Sequence, residues 1–300
     1  MAENARSYLD PRILDKITRL DLKARHLVEG FVAGMHKSPY HGFSVEFAEH
    51  REYVPGDDLK HLDWKVFGRT DRLYVKEYEL ETNLRSHILL DTSESMEYGS
   101  GRISKLELAC LVAASMAHLI LRQQDSVGVV CFDKEVRQQV PPSSSMGHLK
   151  SVLGVLAQAA PRNRTDIAAV FHALAEGIRH RSLVLVISDL FDRPEEVLKA
   201  LRHFRHRRHD VIVFHVLDEY ELTFPFQRMT LFEGLEEQPR LLVDPRALRK
   251  AYLEEIGRFC GMIQRECVRQ SIDYVRVTTD QPLDVVLSRY LAGRLSMRKR

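Results

Sequence analysis

The sequence predicts an α/β fold of Rossmann-like type: a mainly parallel sheet with helices on both faces, plus a small β-rich appendage. Three observations predict it. The runs Ile88-Leu89-Leu90 and Leu183-Val184-Leu185-Val186-Ile187 are apolar on both faces, as strands of a sheet covered by helices on both sides must be. Each run is closed by a polar strand end, Asp91 in the first and Ser188-Asp189 in the second. Helical and strand-like segments then alternate from about residue 103 onward, the signature of βαβ units.

The elements follow in order. Residues 10–33 carry a broken apolar stripe of Ile13, Ile17, Leu20, Leu22, Leu27 and Phe31, with Gly34 as a stop, and are expected to be helical. Residues 39–81 are aromatic, charged and turn-rich, with a Pro55-Gly56-Asp57 turn signal, and are expected to form strands and a short helical turn outside the main sheet. After the Asp91 strand come a helix over 103–124, a strand over 126–132, and a second hairpin strand over 136–140. That strand belongs at the sheet edge, ended by Pro141-Pro142. Helices over 147–159 and 166–179 lead to the Asp189 strand, followed by a helix over 194–206 and a strand over 211–217. Residues 219–244 break the alternation. Phe224, Phe226, Met229, Leu231 and Phe232 among charges suggest a β excursion, expected to pack with residues 39–81 as one appendage. A helix from Pro245 through Cys267, a strand over 274–277 and a helix over 282–295 close the chain. The expected strand order is 3-2-1-4-5-6, which sets the Asp91 and Asp189 strands side by side at the point where ligands bind in such sheets.

Composition excludes little. The chain has 300 residues, a formal net charge of +2, 44% hydrophobic and 29% charged residues, values of an ordinary globular protein with a sizeable core. The longest apolar stretch, residues 108–121, is too short to span a bilayer and contains Ser115 and His118. With no signal-peptide pattern at residues 1–6, the expected location is the cytoplasm. Cys110, Cys131, Cys260 and Cys267 form no C-x-x-C pair or zinc spacing, so they are expected as reduced, buried thiols.

The chemistry gathers at the strand ends. Asp91, Ser93 and Ser95 lie on one loop, and carboxylate and hydroxyl oxygens together suit a hard cation. Thr165 precedes a helix and Asp189 closes the second strand, so the fold brings five oxygen-bearing residues toward one cavity. Each has a bland account as a helix cap or turn residue, and only the joint set argues for a metal. The set and its order resemble the metal-ion-dependent adhesion site of the von Willebrand factor A domain. A further block, Glu46-Phe47, Arg51-Glu52-Tyr53-Val54-Pro55-Gly56-Asp57-Asp58, Leu62-Asp63-Trp64, Arg69-Thr70 and Val75-Lys76, resembles the bacterial domain-of-unknown-function family 58, in which it precedes an A-type domain. Gly68 stands where that family's pattern has alanine.

The resemblance implies residues 1–84 as a family-specific region, a helix plus a β-like segment, and residues 85–300 as an A-like domain. It implies Mg²⁺, with Mn²⁺ or Ca²⁺ as substitutes, bound directly by Ser93 and Ser95. Thr165 binds directly or through water, and the two aspartates act largely through waters. It further implies a non-enzymatic adaptor or assembly factor working with a MoxR-type AAA+ ATPase or its client through an acidic side chain. The competing reading is a phosphatase or phosphotransferase with Asp91 as nucleophile. Haloacid-dehalogenase-type enzymes place a second aspartate where this chain has Ser93, which does no acid–base work near neutral pH, and no clear catalytic lysine accompanies it. Arg51, Asp57, Asp58 and Asp63 form a second polar group for a partner or a structural turn, with Trp64 as a packing anchor. The basic run Arg202 to Arg208 and the tail Arg298-Lys299-Arg300 read as a solvated face, without a nucleic-acid motif.

Overall fold

The computed structural model describes residues 18–25, 45–54, 64–80, 84–162, 166–233 and 240–287, together with Asp15, Leu27, Val28 and Tyr290. Two compact units divide the chain: residues 37–84 form one, and residues 1–36 with 85–300 form the other. Helical residues 18–25 group with the larger unit, where Ala24 and Val28 are buried.

In the smaller unit, β1 (Val45–Glu52) pairs antiparallel with β2 (Tyr74–Leu80), and the short helix α1 (Trp64–Thr70) lies between them in sequence. A bulge between Phe47 and Glu49 shifts the register, and the Tyr53 N–H donates to the Leu73 carbonyl at 2.9 Å just beyond the ladder.

The larger unit opens with β3 (Arg85–Asp91) and α2 (Lys105–Arg122), joined by a 3-10 turn at Glu94–Glu97. It continues through β4 (Ser126–Phe132), β5 (Val136–Ser143), α3 (His148–Gln158), α4 (Ile167–Gly177) and β6 (Leu183–Ser188). Then come α5 (Pro194–His206), β7 (Asp210–Leu217), α6 (Glu219–Thr223), β8 (Thr230–Phe232) and β9 (Leu241–Val243). The long helix α7 (Pro245–Arg269) and β10 (Asp273–Thr278) complete the elements, and residues 283–287 are helical.

The central sheet runs β10-β7-β6-β3-β4-β5, parallel except for β5. Numbered by its own strands in chain order this is 3-2-1-4-5-6, as expected. The strand order reverses between β3 and β6, and the crevice at their carboxyl ends is the switch point. All of β6 and the last four residues of β3 are buried, because helices cover both faces. On one face Phe132, Phe171 and Phe204 meet edge to face, with centroids 5.4 and 5.8 Å apart, among Leu89, Val186, Val213 and Ile263. Helix α2 starts with a full capping box between Ser104 and Glu107 and is buried on nearly every side.

Three expectations need correction. Strand β5 passes through Pro141 and Pro142 to Ser143, because on an edge strand the missing N–H groups cost no ladder bond. Residues 219–244 open with helix α6, whose capping box joins Asp218 and Glu221. They also fall in a different compact unit from residues 39–81. They carry a separate two-stranded sheet, β8 with β9, and belong to the larger unit, where Phe224 and Tyr252 of α7 stand 4.5 Å apart and Phe224 stacks on Phe232. The aromatic residues that looked homeless in sequence bury one another and the α7 face. The four cysteines are buried thiols outside any disulfide, as expected.

Candidate functional site

Asp91 ends β3, and the neighbouring β6 ends in Ser188 followed by Asp189, with Leu90 opposite Ile187 in the ladder. Every oxygen of the Asp91 carboxylate has a partner: Oδ1 accepts the Ser93 N–H at 2.9 Å, and Oδ2 accepts the Ser188 hydroxyl at 2.6 Å. Asp91 and Ser93 are fully buried, and the Ser93 and Ser95 hydroxyl oxygens stand 3.1 Å apart at the start of the 3-10 turn. Thr92 braces the other side, its N–H and hydroxyl both donating to the Phe132 carbonyl at the end of β4. Burial, and secondarily the negative charge of Asp189, push the Asp91 carboxyl up to about 7, against the bonds from Ser188 and Ser93.

Asp189 is held differently. Its Oδ1 accepts the Phe191 N–H at 3.2 Å, and its Oδ2 accepts the ammonium of Lys105 at 2.8 Å. Lys105 is fully buried, donates also to Glu221 Oε1 at 2.6 Å, and lies 4.7 Å over the Phe191 ring. The backbone carbonyl of Asp189 accepts from His215 Nε2 at 2.9 Å. Burial lowers His215 to about 4, so the ring is neutral, and its Nδ1 accepts the Tyr274 hydroxyl at 2.8 Å. Leu190 adopts the left-handed region, φ 56°, and its N–H donates to the Ser188 hydroxyl oxygen at 2.9 Å. The strand end is thus fixed by side chains from β7 and β10 as well as by its own turn.

Four of the five expected metal residues, Asp91, Ser93, Ser95 and Asp189, therefore lie at the ends of adjacent strands. Thr165 lies outside the described residues. On either side of it, the Arg162 N–H donates to the Thr92 carbonyl at 2.9 Å and the Ile167 N–H to Asp192 Oδ2 at 3.1 Å. Asp166 caps α4, its Oδ1 accepting the Ala169 N–H at 3.1 Å. Asp57, Asp58 and Asp63 lie outside the described residues, as does the side chain of Arg51, whose backbone pairs with Val75 in β1 and β2. Trp64 is not a packing anchor: at the first position of α1 it is 64% exposed, touching Phe67 edge-on. Of the basic run, Arg205 is structural, donating to the His209 carbonyl at 2.7 Å and pairing with Asp210.

Sequence reasoning missed the roles of Ser188, Lys105, Glu221 and His215; Lys105 is bonded to Asp189 and Glu221 rather than to Asp91. A signal for Lys105 exists. A lysine at the first position of a buried helix opposes the helix dipole and needs an anionic partner. The Asp218-x-x-Glu221 capping pattern was equally readable.

The donor set fits a hard divalent cation. It is made of oxygens only, as such an ion prefers, and the Ser93 and Ser95 hydroxyls lie close enough to hydrogen-bond each other at 3.1 Å, hence close enough to share one ion. Among the described residues no three His, Cys, Asp or Glu side chains gather as a softer or purely acidic metal site would require.

Strand order, switch-point site and flanking helices define a von Willebrand factor A-like α/β protein. The solved structure of the conserved hypothetical protein BatB from Bacteroides thetaiotaomicron shares the fold, with a TM-score of 0.50, 18% identity, and coverage of 71% of this chain and 99% of that one. The SpRpn10 VWA domain matches with a TM-score of 0.37 and 12% identity over 70% of this chain and 94% of its own. The chain belongs to the family described as protein of unknown function DUF58, whose signature matches residues 49–258. Among curated relatives, the uncharacterized protein Rv1480 of Mycobacterium tuberculosis is 28% identical over 219 residues, 72% of this chain and 68% of that protein. The uncharacterized protein YeaD of Bacillus subtilis is 31% identical over 133 residues, 44% of this chain and 31% of its own. Among the described residues no helix is long and apolar enough to cross a membrane.

Proposed function

We propose that this protein is a non-enzymatic, cytoplasmic interaction module. Asp91, Ser93, Ser95, Thr165 and Asp189 would hold a divalent cation, Mg²⁺ first, and an acidic side chain of a partner protein completes its coordination. The observation that carries this reading is the placement of two carboxylates at the ends of adjacent parallel strands, beside a hydroxyl pair close enough to share one ion. Neutral hydroxyl donors compensate little of the cation's charge, which favours an incoming carboxylate. The bound cation would supply Lewis acidity. The chain's own residues supply position: Ser188 and the Ser93 N–H orient Asp91, and Lys105 and the Phe191 N–H orient Asp189.

A MoxR-type AAA+ ATPase, or its client, is the partner we propose, on the strength of the family resemblance. The test is a pull-down of that ATPase with wild type and Asp91→Ala, in Mg²⁺ and in EDTA. Capture by wild type in Mg²⁺ alone supports the reading. Undiminished capture by Asp91→Ala in EDTA sinks it and moves attention to the smaller unit.

Lys105 revives the rival reading, in which Asp91 attacks a phosphoryl group. Against it, Lys105 is bonded to Asp189 and Glu221, and Asp91 is fully buried with both oxygens engaged. Acid-stable labelling of Asp91 by a phosphoryl donor, lost in Asp91→Asn, would establish that enzyme instead.

A further inference from the structure

Among the described residues Lys105 is the one lysine or arginine that is buried. Burial and the positive end of the α2 dipole both oppose an ammonium there, and an apolar side chain of similar length would avoid both costs. Two carboxylates compensate it, one of which is Asp189 of the site.

The ammonium is also held in place. Glu221 uses Oε1 for Lys105 and Oε2 for the Asp218 N–H at 2.7 Å, so the α6 capping box orients it. Asp218 Oδ2 in turn accepts the Ser100 N–H at 2.9 Å and the Thr279 hydroxyl at 2.7 Å. Ser100 lies on the loop that carries Ser95 into α2, and the Lys105 N–H closes that loop on the Tyr98 carbonyl at 2.9 Å. A positive charge therefore sits on Asp189, its side chain held by this network.

Building on the cation site proposed above, we infer that Lys105 sets the affinity of that site for its cation. Asp189 shares the ammonium with Glu221, so its charge is partly compensated, and a divalent cation at Asp91, Ser93 and Ser95 finds a reduced anionic complement beside an ammonium. The bare site holds the ion weakly. An acidic side chain from a partner restores the balance, and tight cation binding becomes conditional on that partner.

The experiment is calorimetric titration of Mn²⁺ alone into wild type, Lys105→Met and Glu221→Gln, with thermal melts to confirm folding. Lys105→Met is expected to bind Mn²⁺ tighter by about tenfold or more, because a unit positive charge near the ion is gone. Glu221→Gln, which leaves the ammonium to Asp189 alone, is expected to bind several-fold more weakly. Opposite shifts from the two partners of one ion pair support the inference. Equal affinities in all the folded proteins overturn it while leaving the cation site standing. No Mn²⁺ binding by any of them overturns the cation site itself. If Lys105→Met does not fold, Glu221→Gln decides the question alone.

Discussion

The Ser188 hydroxyl donates to Asp91 Oδ2 at 2.6 Å and so ties the end of β6 to the end of β3 across the switch point of the sheet. This bond orients a carboxylate that is otherwise out of place, since it is buried and faces the charge of Asp189.

Removing that charge should stabilise the cation-free protein. Asp91 titrates near 7 in the folded chain and near 3.8 unfolded, so its ionised form opposes folding fully above pH 7. The penalty fades as pH falls through 7 toward 3.8. Asparagine can keep both contacts, accepting from the Ser93 N–H and donating to a rotated Ser188 hydroxyl. Denaturant melts in EDTA should find Asp91→Asn more stable than wild type by about 2 kcal/mol at pH 8, with roughly a third of that left at pH 5 and little difference only below 3.8. A variant less stable than wild type at pH 8 refutes this.

His215 acts with the opposite sense. Burial holds it near 4 in the fold against 6.5 unfolded, and His87 is likewise near 4. Both are neutral in either state above pH 6.5, and the unfolded chain takes up protons first as pH falls. Stability from these rings is therefore full above 6.5 and is lost between 6.5 and 4. His215→Gln should cost about 1–3 kcal/mol at pH 7, by orphaning Tyr274 or the Asp189 carbonyl. It should also flatten the acid limb measured by urea melts from pH 7 to 4.5. An acid limb as steep as that of wild type would show that His215 does not shape it.

Two glycines separate stability from site geometry. A Cβ on Gly128 would meet the Val140 carbonyl oxygen at 2.7 Å and the Pro142 nitrogen at 2.8 Å, prising apart β4 and β5. Gly128→Ala should destabilise the protein by about 1–3 kcal/mol. On Gly99 it would meet the Ile103 carbonyl oxygen at 2.6 Å, within the loop that leads from Ser95 to Lys105. Gly99→Ala should lower Mg²⁺ affinity more than it lowers the melting temperature. Unchanged affinity would mean that the loop has no hold on Ser95.

Ser93→Ala should weaken Mg²⁺ binding by removing a hydroxyl donor, with a smaller effect on the melt from losing the hydroxyl's contacts to Ser95 and Asp91. Calorimetry against wild type checks this, and equal affinities would exclude Ser93 as a ligand.

Periodicity made the sheet legible. Apolar runs buried on both faces announce central parallel strands by themselves, and Asp91 and Asp189 mark where those strands leave the core. The same local logic reached the edge position of β5 and most helix starts, because caps and turns act over a few residues. It stopped short in residues 219–244, where aromatic residues bury one another across α6, β8 and α7 and no period records that. At the site, the sequence alone determined which oxygens stand at the strand ends. Only the tertiary structure decided which charges and bonds surround them. Ser188 reaches Asp91 across 97 residues, and Lys105 reaches Asp189 across 84 and Glu221 across 116. Those pairings arise because strand order and helix docking bring the groups together in a dry interior, where each must find a partner.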